Sequence, residues 1–336
     1  STTYPPLVYW LASPLAILFW PTADVFVGLL TVFAGILIVS TYGTAAHFGG
    51  RKAGLLAAFL VSMVPLVYGL ERHFLTDVPL LAMVALAIWM LVRSEAFERR
   101  GASLLSGLAL GLGLLTKWAF VLFGGGPLLV AALAAVASRS RRRLLNLGLA
   151  LLVALLVAGP WYLANLSSTL DFFGLSSVYA QAEGDPTVGS LDSWLYYART
   201  FVDVQVLLPL ALAFVVGLAV WLLKKRARYE TGFLLLGGVA LPYLASSLFF
   251  NKDPRYTMPF LAAVAAITAL GLVAIKPRAL KIGLISLLAL YATFQFLGLT
   301  WGLSHRLPAG VLPGQIGLQL GSHSFPIYTE SLHLAS

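Results

Sequence analysis

The sequence predicts an all-α fold, a polytopic transmembrane helical bundle of about ten spans with one further helix at its N-terminus that does not span. Three observations carry that prediction. Of the 336 residues, 60% are hydrophobic and only 10% charged, whereas soluble domains carry roughly 25% charged residues. Apolar runs of bilayer length recur along most of the chain. The charges sit in short clusters between those runs, and the basic clusters fall on alternate connections. A net charge of +9 would raise nucleic acid as a partner in a soluble protein. Here the placement argues for membrane loops, and nucleic acid is set aside. The absence of cysteine excludes disulfides and thiolate metal sites.

Taken in order, Leu7 to Trp20 is an apolar run interrupted by Pro14 and closed by Pro21. As helix it rises about 21 Å, short of the roughly 30 Å hydrocarbon core, so it reads as a surface or re-entrant helix. Spans follow at Val25 to Ala46, Ala53 to Leu70 and Val78 to Val92. Residues 102 to 137 are apolar except for Lys117 and would reach about 54 Å as one helix, so the run folds back with Lys117 at the turn. A sixth span, Leu144 to Gly159, leads into Pro160-Trp161-Tyr162, an aromatic interface marker. Residues 164 to 204 form the one long polar connection, with Asp171, Glu183, Asp185, Asp192 and Asp203 among aromatics. A connection of that length is functional or disordered, and the aromatics favour order. Spans at Gln205 to Leu223, Thr231 to Phe250 and Thr257 to Ile275 follow, with a last one ending near Trp301. Residues 302–336 are mixed and rich in Gly and Pro, and read as an outer-face tail that begins a truncated C-terminal region. Residues 1–301 read as one membrane domain with 164–204 as its outer, lid-like loop.

Sixteen of the 22 basic residues fall on one set of loops, around Arg51-Lys52, Arg93 to Arg100, Arg139 to Arg143, Lys224 to Arg228 and Lys276 to Lys281. That face is expected in the cytoplasm. The outer face then holds Arg72, Lys117, Arg199, Lys252, Arg255 and Arg306, with ten of the 13 acidic residues. The inner loops read as short and bland, so the chemistry is expected outside.

Arg72, Lys117, Lys252 and Arg255 are cations at headgroup depth, suited to a lipid phosphate. Asp77 begins a helix, where the dipole favours its ionised form. Such a carboxylate can take a proton from an acceptor hydroxyl while cations stabilise a departing phosphate. Each residue also has a structural alternative. Lys117 can snorkel to the interface, Arg72 can pair with Glu71 or Asp77, and Asp77 ahead of Val78-Pro79 can cap its helix. His73 and Trp161-Tyr162 suit interfacial packing.

Five phrases coincide in order with a known family. They are Tyr4-Pro5-Pro6-Leu7-Val8-Tyr9-Trp10, Thr76-Asp77-Val78-Pro79-Leu80, Gly111-Leu112-Gly113-Leu114-Leu115-Thr116-Lys117, Gly159-Pro160-Trp161-Tyr162 and Arg255-Tyr256-Thr257-Met258-Pro259. The chain thereby resembles the polyprenyl-phosphate-dependent glycosyltransferases of the GT-C class, the bacterial relatives of protein O-mannosyltransferases and lipid A aminoarabinose transferases. The resemblance covers residues 4 to about 275. It implies a bacterial inner-membrane glycosyltransferase of the cell envelope with its active site on the outer face. The donor would be a sugar on a polyprenyl phosphate, the acceptor a lipid, glycan or protein hydroxyl, and the transfer inverting with a carboxylate base.

Asp77 matches the family's second important aspartate, which positions donor or acceptor. Lys117 and Arg255 match basic positions near the lipid phosphate, and Arg72, Lys252 and Tyr256 join them as candidate donor contacts. Tyr4, His73, Trp161 and Tyr162 are candidate cavity residues. The family's first span and its following loop, with the principal catalytic aspartate, would lie before Tyr4, so the 336-residue chain alone is expected to be inactive. Some relatives hold a metal through a histidine in the long outer loop. That loop has none here, and no metal or other cofactor is expected. Two other classes remain as alternatives: a lipid or solute transporter or flippase, for which Gly124-Gly125-Gly126-Pro127 would be a helix break, and a non-catalytic membrane assembly subunit.

Overall fold

A computed structural model describes residues 4–19, 22–171, 184–224 and 228–301. The central part of the lid-like connection and the tail 302–336 thus lie outside the described residues. The regular elements among those described are all helical. Helix α1 (Leu7–Phe19) is short and contains Pro14. It packs on α2 (Ala23–Ser62) and touches the helix that ends at Thr116.

Helix α2 is 40 residues long as a continuous hydrogen-bonded run, yet Gly50 within it has φ 75 and ψ 179. Only glycine adopts such a backbone without strain. The chain reverses there, because a Cβ on Gly54 would lie 2.8 Å from both Ala46 and the ring of Tyr42. Eight residues of unbroken helix would hold positions 46 and 54 about 12 Å apart. Two antiparallel arms therefore meet at Arg51-Lys52, where the sequence predicts the connection between two spans. The second arm breaks at Met63-Val64, and Pro65 restarts it as α3 (Pro65–Leu70).

Helices α4 (Asp77–Arg93), α5 (Arg100–Thr116), α6 (Phe120–Ala137) and α7 (Arg141–Ala164) follow. Pro127 does not break α6. Gly126 instead lets α6 approach a later helix closely, since a Cβ there would collide with the carbonyl of Gly237. Part of the long connection is ordered as α8 (Leu191–Thr200), started by Ser190, whose hydroxyl accepts from the Ser193 amide at 3.1 Å. A π-helical turn, Phe201–Gln205, joins it to α9 (Leu207–Leu223), and the two segments meet at 118°. Helix α10 is pieced from Arg228–Thr231, a π-helical stretch Gly232–Ala240 and Leu241–Ser247. Helix α11 (Leu261–Val273) is preceded by a 3₁₀ turn, Met258–Phe260, and α12 (Arg278–Trp301) closes the described chain.

Helices α4 and α11 form the interior, buried along nearly their whole length. The periphery is apolar on the outside. Leu151, Leu152, Leu155 and Leu156 of α7 and Leu287 and Leu290 of α12 are all exposed. A shell of exposed leucines suits lipid as solvent and would be costly in water. Four described helices are long and apolar enough to cross a bilayer, or five if the bent pair counts as one, although the Gly50 reversal divides the longest of them. The protein is a polytopic helical membrane protein in which each of the ten predicted apolar runs is helical.

Candidate active site

Loop Glu71 to Thr76 ends where Asp77 begins α4, with Pro79 in the first turn, where its missing amide costs nothing. Thr76 makes no side-chain cap bond, and the Asp77 carboxylate turns instead to a cation. Helix α5 stops at Thr116, and Lys117 adopts an extended backbone, φ −160 and ψ 140. Its Nζ lies 3.1 Å from Asp77 Oδ1. Both residues are buried, Asp77 3% exposed and Lys117 9%, so the lysine does not snorkel. The same ammonium sits 5.6 Å from the ring centroid of Tyr256.

Tyr256 belongs to the connection between α10 and α11. Buried Gln205 fastens that connection by donating Nε2 hydrogen bonds to the Pro254 carbonyl at 2.5 Å and to Thr257 Oγ1 at 2.7 Å. Burial pushes the Tyr256 phenol well above its ordinary pKa, and Asp253 adds to the rise. Arg255 is oriented by Asp253, which accepts from its Nε at 2.9 Å and from its Nη2 at 2.5 Å. Tyr4, Asp77, Lys117, Arg255 and Tyr256 line one cavity of about 530 Å³. Its remaining wall is largely aromatic, with Trp118 and Phe249 at a ring separation of 5.5 Å and Tyr197 from α8. The arrangement is a buried carboxylate beside two cations, walled by flat apolar surfaces. It can hold an anion at one end and a ring or chain along the other.

Other candidates from the sequence lie elsewhere. Lys252 is 4% exposed and donates to the carbonyls of Ser246, Ser247 and Phe249 at 3.0, 2.7 and 2.8 Å. It closes the C-terminal end of α10. Its backbone amide donates to Asp185 Oδ2 at 2.7 Å, which ties the end of the long connection to this loop. Burial pushes the Lys252 amine down to about 8, with Asp185 opposing the shift. Arg72 donates to Thr300 Oγ1 at 2.8 Å and joins its loop to α12. The neighbouring His73 is shifted below its ordinary pKa by burial and then by Arg72. Trp161 and Tyr162 meet edge to face at 4.9 Å, and the Tyr162 hydroxyl donates to the Leu114 carbonyl at 2.9 Å. None of these five lines the cavity.

Sequence reasoning passed over Trp118 and Phe249 as cavity walls, and Asp185 and Asp253 as orienting groups. Adjacency to Lys117 and to Lys252 was the available signal for two of the four, Trp118 and Asp253. Among the described residues no group of three or more His, Asp or Glu is placed to hold a metal ion.

Residues 3–163 match the family model for dolichyl-phosphate-mannose-protein mannosyltransferases. The undecaprenyl phosphate-alpha-4-amino-4-deoxy-L-arabinose arabinosyl transferase of Pectobacterium carotovorum is 30% identical over 239 residues, 68% of this chain and 41% of that protein. A second such transferase, from Proteus mirabilis, is 28% identical over 232 residues, 65% and 40% respectively. These alignments therefore span about two fifths of the relatives' own lengths. In fold, the chain is similar to ArnT from Cupriavidus metallidurans, solved with undecaprenyl phosphate bound, with a TM-score of 0.66, 18% identity, and coverage of 92% of this chain and 56% of that one. It is similar also to the oligosaccharyltransferase of Archaeoglobus fulgidus, with a TM-score of 0.57, 15% identity, and coverage of 87% and 47%.

Proposed function

We propose, for a chain that has the GT-C glycosyltransferase fold and resembles the polyprenyl-phosphate-dependent members of that class, that the protein transfers a sugar from a polyprenyl-phosphate donor to an acceptor hydroxyl. The single observation that carries this reading is the buried Asp77–Lys117 pair opening onto the aromatic cavity that Arg255 also lines. A purely structural ion pair has no need of a cavity beside it, and burying one is rarely a gain in stability.

In this reading the donor phosphate lies against Lys117 and Arg255, both held in place before substrate arrives, one by Asp77 and the other by Asp253. The acceptor oxygen attacks the anomeric carbon from the side opposite the phosphate. A carboxylate takes the acceptor proton as the new carbon–oxygen bond forms. The bond from the anomeric carbon to the phosphate oxygen breaks, and polyprenyl phosphate departs with the electron pair. One displacement inverts the anomeric centre. Asp77 is the carboxylate of this chain at that centre, where it orients Lys117 and the reacting groups.

The cavity end is the outer face of the membrane, since the basic clusters lie at the opposite helix ends. The donor's sugar would rest against Trp118 and Phe249, and acceptor class follows from what the rest of the cavity admits. A helix break for transport finds no support at Gly124 to Pro127, where α6 is continuous.

The test is reconstitution in liposomes of this chain joined behind the first span and outer loop of a full-length relative, with a polyprenyl-phosphate donor carrying a labelled sugar. Transfer predicts free polyprenyl phosphate appearing in step with label on an acceptor. Movement of intact donor across the bilayer, without release of polyprenyl phosphate, would replace the enzyme reading with the flippase one.

A further inference from the structure

At the far end of the bundle a groove of about 1180 Å³ opens between the second arm of α2 and α12. It is remote from the cavity. Helix α11 starts just after Tyr256 and ends at Val273 on the groove, after 13 residues, or about 20 Å of helix. Lys52, Arg278 and Lys281 stand on its rim, and no acidic side chain is among its lining residues. Arg278 also opens α12, whose first amides add positive partial charge at the same place. Lys281 is drawn in rather than extended into solvent, with Nζ donating to the Val273 carbonyl at 3.3 Å.

Below this rim the walls change character. Leu56, Ile282 and Ile285 carry the groove inward, and seven residues from Arg278 to Ile285 amount to about 10 Å of helix. A soluble anion would use the rim and leave the rest empty. A protein segment would have to bring acidic side chains to answer three cations. One amphiphile satisfies both parts.

We propose that this groove binds an anionic phospholipid of the surrounding bilayer, its headgroup phosphate on Lys52, Arg278 and Lys281 and the upper part of an acyl chain along Leu56, Ile282 and Ile285. The site is separate from that for the donor and does not depend on transfer activity. It would fasten the second arm of α2 to α12 through a lipid, at a point where the two helices leave space between them.

Native mass spectrometry of the protein released from nanodiscs of phosphatidylcholine with increasing phosphatidylglycerol tests the site. The expected result is one retained phosphatidylglycerol molecule per protein. The triple variant Lys52→Gln, Arg278→Gln, Lys281→Gln should weaken that retention at least tenfold, given roughly fivefold per headgroup-level charge. Ser286→Trp, which keeps every charge but fills the exposed groove wall, should also expel the lipid. Circular dichroism of both variants checks that helix content is unchanged. Equal retention of phosphatidylcholine, or phosphatidylglycerol surviving both variants, would overturn the proposal. Displacement by millimolar glycerol 3-phosphate would reassign the rim to soluble phosphate. A wild-type protein carrying no lipid would mean that another stretch of chain or a second copy fills the groove, and would overturn it equally.

Discussion

Both ends of the bundle carry a carboxylate bridged to basic residues, and the two bridges are built differently. At one end, Asp77 and Lys117 are buried from separate helices, 3.1 Å apart, with a cavity alongside. At the other, Glu98 meets Arg142 at 3.3 Å and Arg143 at 2.8 Å near the surface. The neighbouring Asn146 donates to the carbonyl of Phe97 at 2.8 Å. That second cluster secures a turn in which Glu95, Ala96 and Phe97 all have positive φ, between 52 and 67, a left-handed stretch that ordinary side chains rarely adopt. Phe97 is fully buried there. The turn between α4 and α5 is therefore less bland than its composition suggested. Its charges stabilise backbone, whereas the charges at the cavity end are placed against space that a substrate can enter.

Variants can break this contrast, beginning with the largest expected effect. Asp77→Asn should lower transfer by about 100-fold or more while the protein still inserts and folds. Asp77→Ala strands a buried ammonium and should in addition cost about 3 kcal/mol of stability. The double variant Asp77→Asn, Lys117→Met tests which role dominates. Recovered thermal stability without recovered transfer is the expected outcome, and recovered transfer would make the pair merely structural.

Arg255→Gln, which leaves Asp253 in place, should reduce transfer by roughly tenfold and weaken donor binding, as measured by donor titration. Asn146→Ala should do the reverse. Loss of its donor to Phe97 leaves a strained turn unsupported and should cost about 1–3 kcal/mol, read as a lower melting temperature with transfer per folded molecule unchanged.

A smaller effect concerns pH. The Lys252 amine is lowered to about 8 from an ordinary 10.5, so between those values the unfolded chain binds more protons than the folded one. Stability should therefore rise with pH across that window. Lys252→Met should lack that component, so the melting-temperature difference between variant and wild type should change between pH 8 and 10.5 and stay flat below it. The smallest effect is expected for Glu98→Gln. Its carboxyl is held below the usual range, first by the Arg143 hydrogen bond, yet surface pairs of this kind contribute little. Transfer should not change.

How much of this could be read in advance differs from residue to residue. The Gly50 reversal was signalled by Arg51-Lys52 between two apolar runs, although the helical hydrogen bonding conceals it. Lys117 stood out because one charge in 36 residues of apolar sequence has to lie at a turn. Lys252 and Arg255, three residues apart in one charged phrase, were indistinguishable by composition. One caps α10 and the other reaches the cavity, because their side chains leave the loop in different directions. Trp118 and Phe249 come from connections far apart in sequence and meet only when α6 packs against α10.

What the sequence by itself determined is the set of apolar helical runs, roughly where each turns back, and which charges gather at which end; helix α8 and the break at Met63-Val64 were not among its readings. The reason is physical: a bilayer requires apolar runs of fixed length with backbone bonds satisfied inside each run, and both are local properties. The tertiary structure alone decided which of the charged and aromatic residues share a cavity. Helix ends on one face are equivalent along the chain, and only the crossing of α4, α5, α10 and α11 turned Asp77, Lys117, Arg255 and Tyr256 toward the same space. It gave Arg72, Lys252 and Tyr162 other partners.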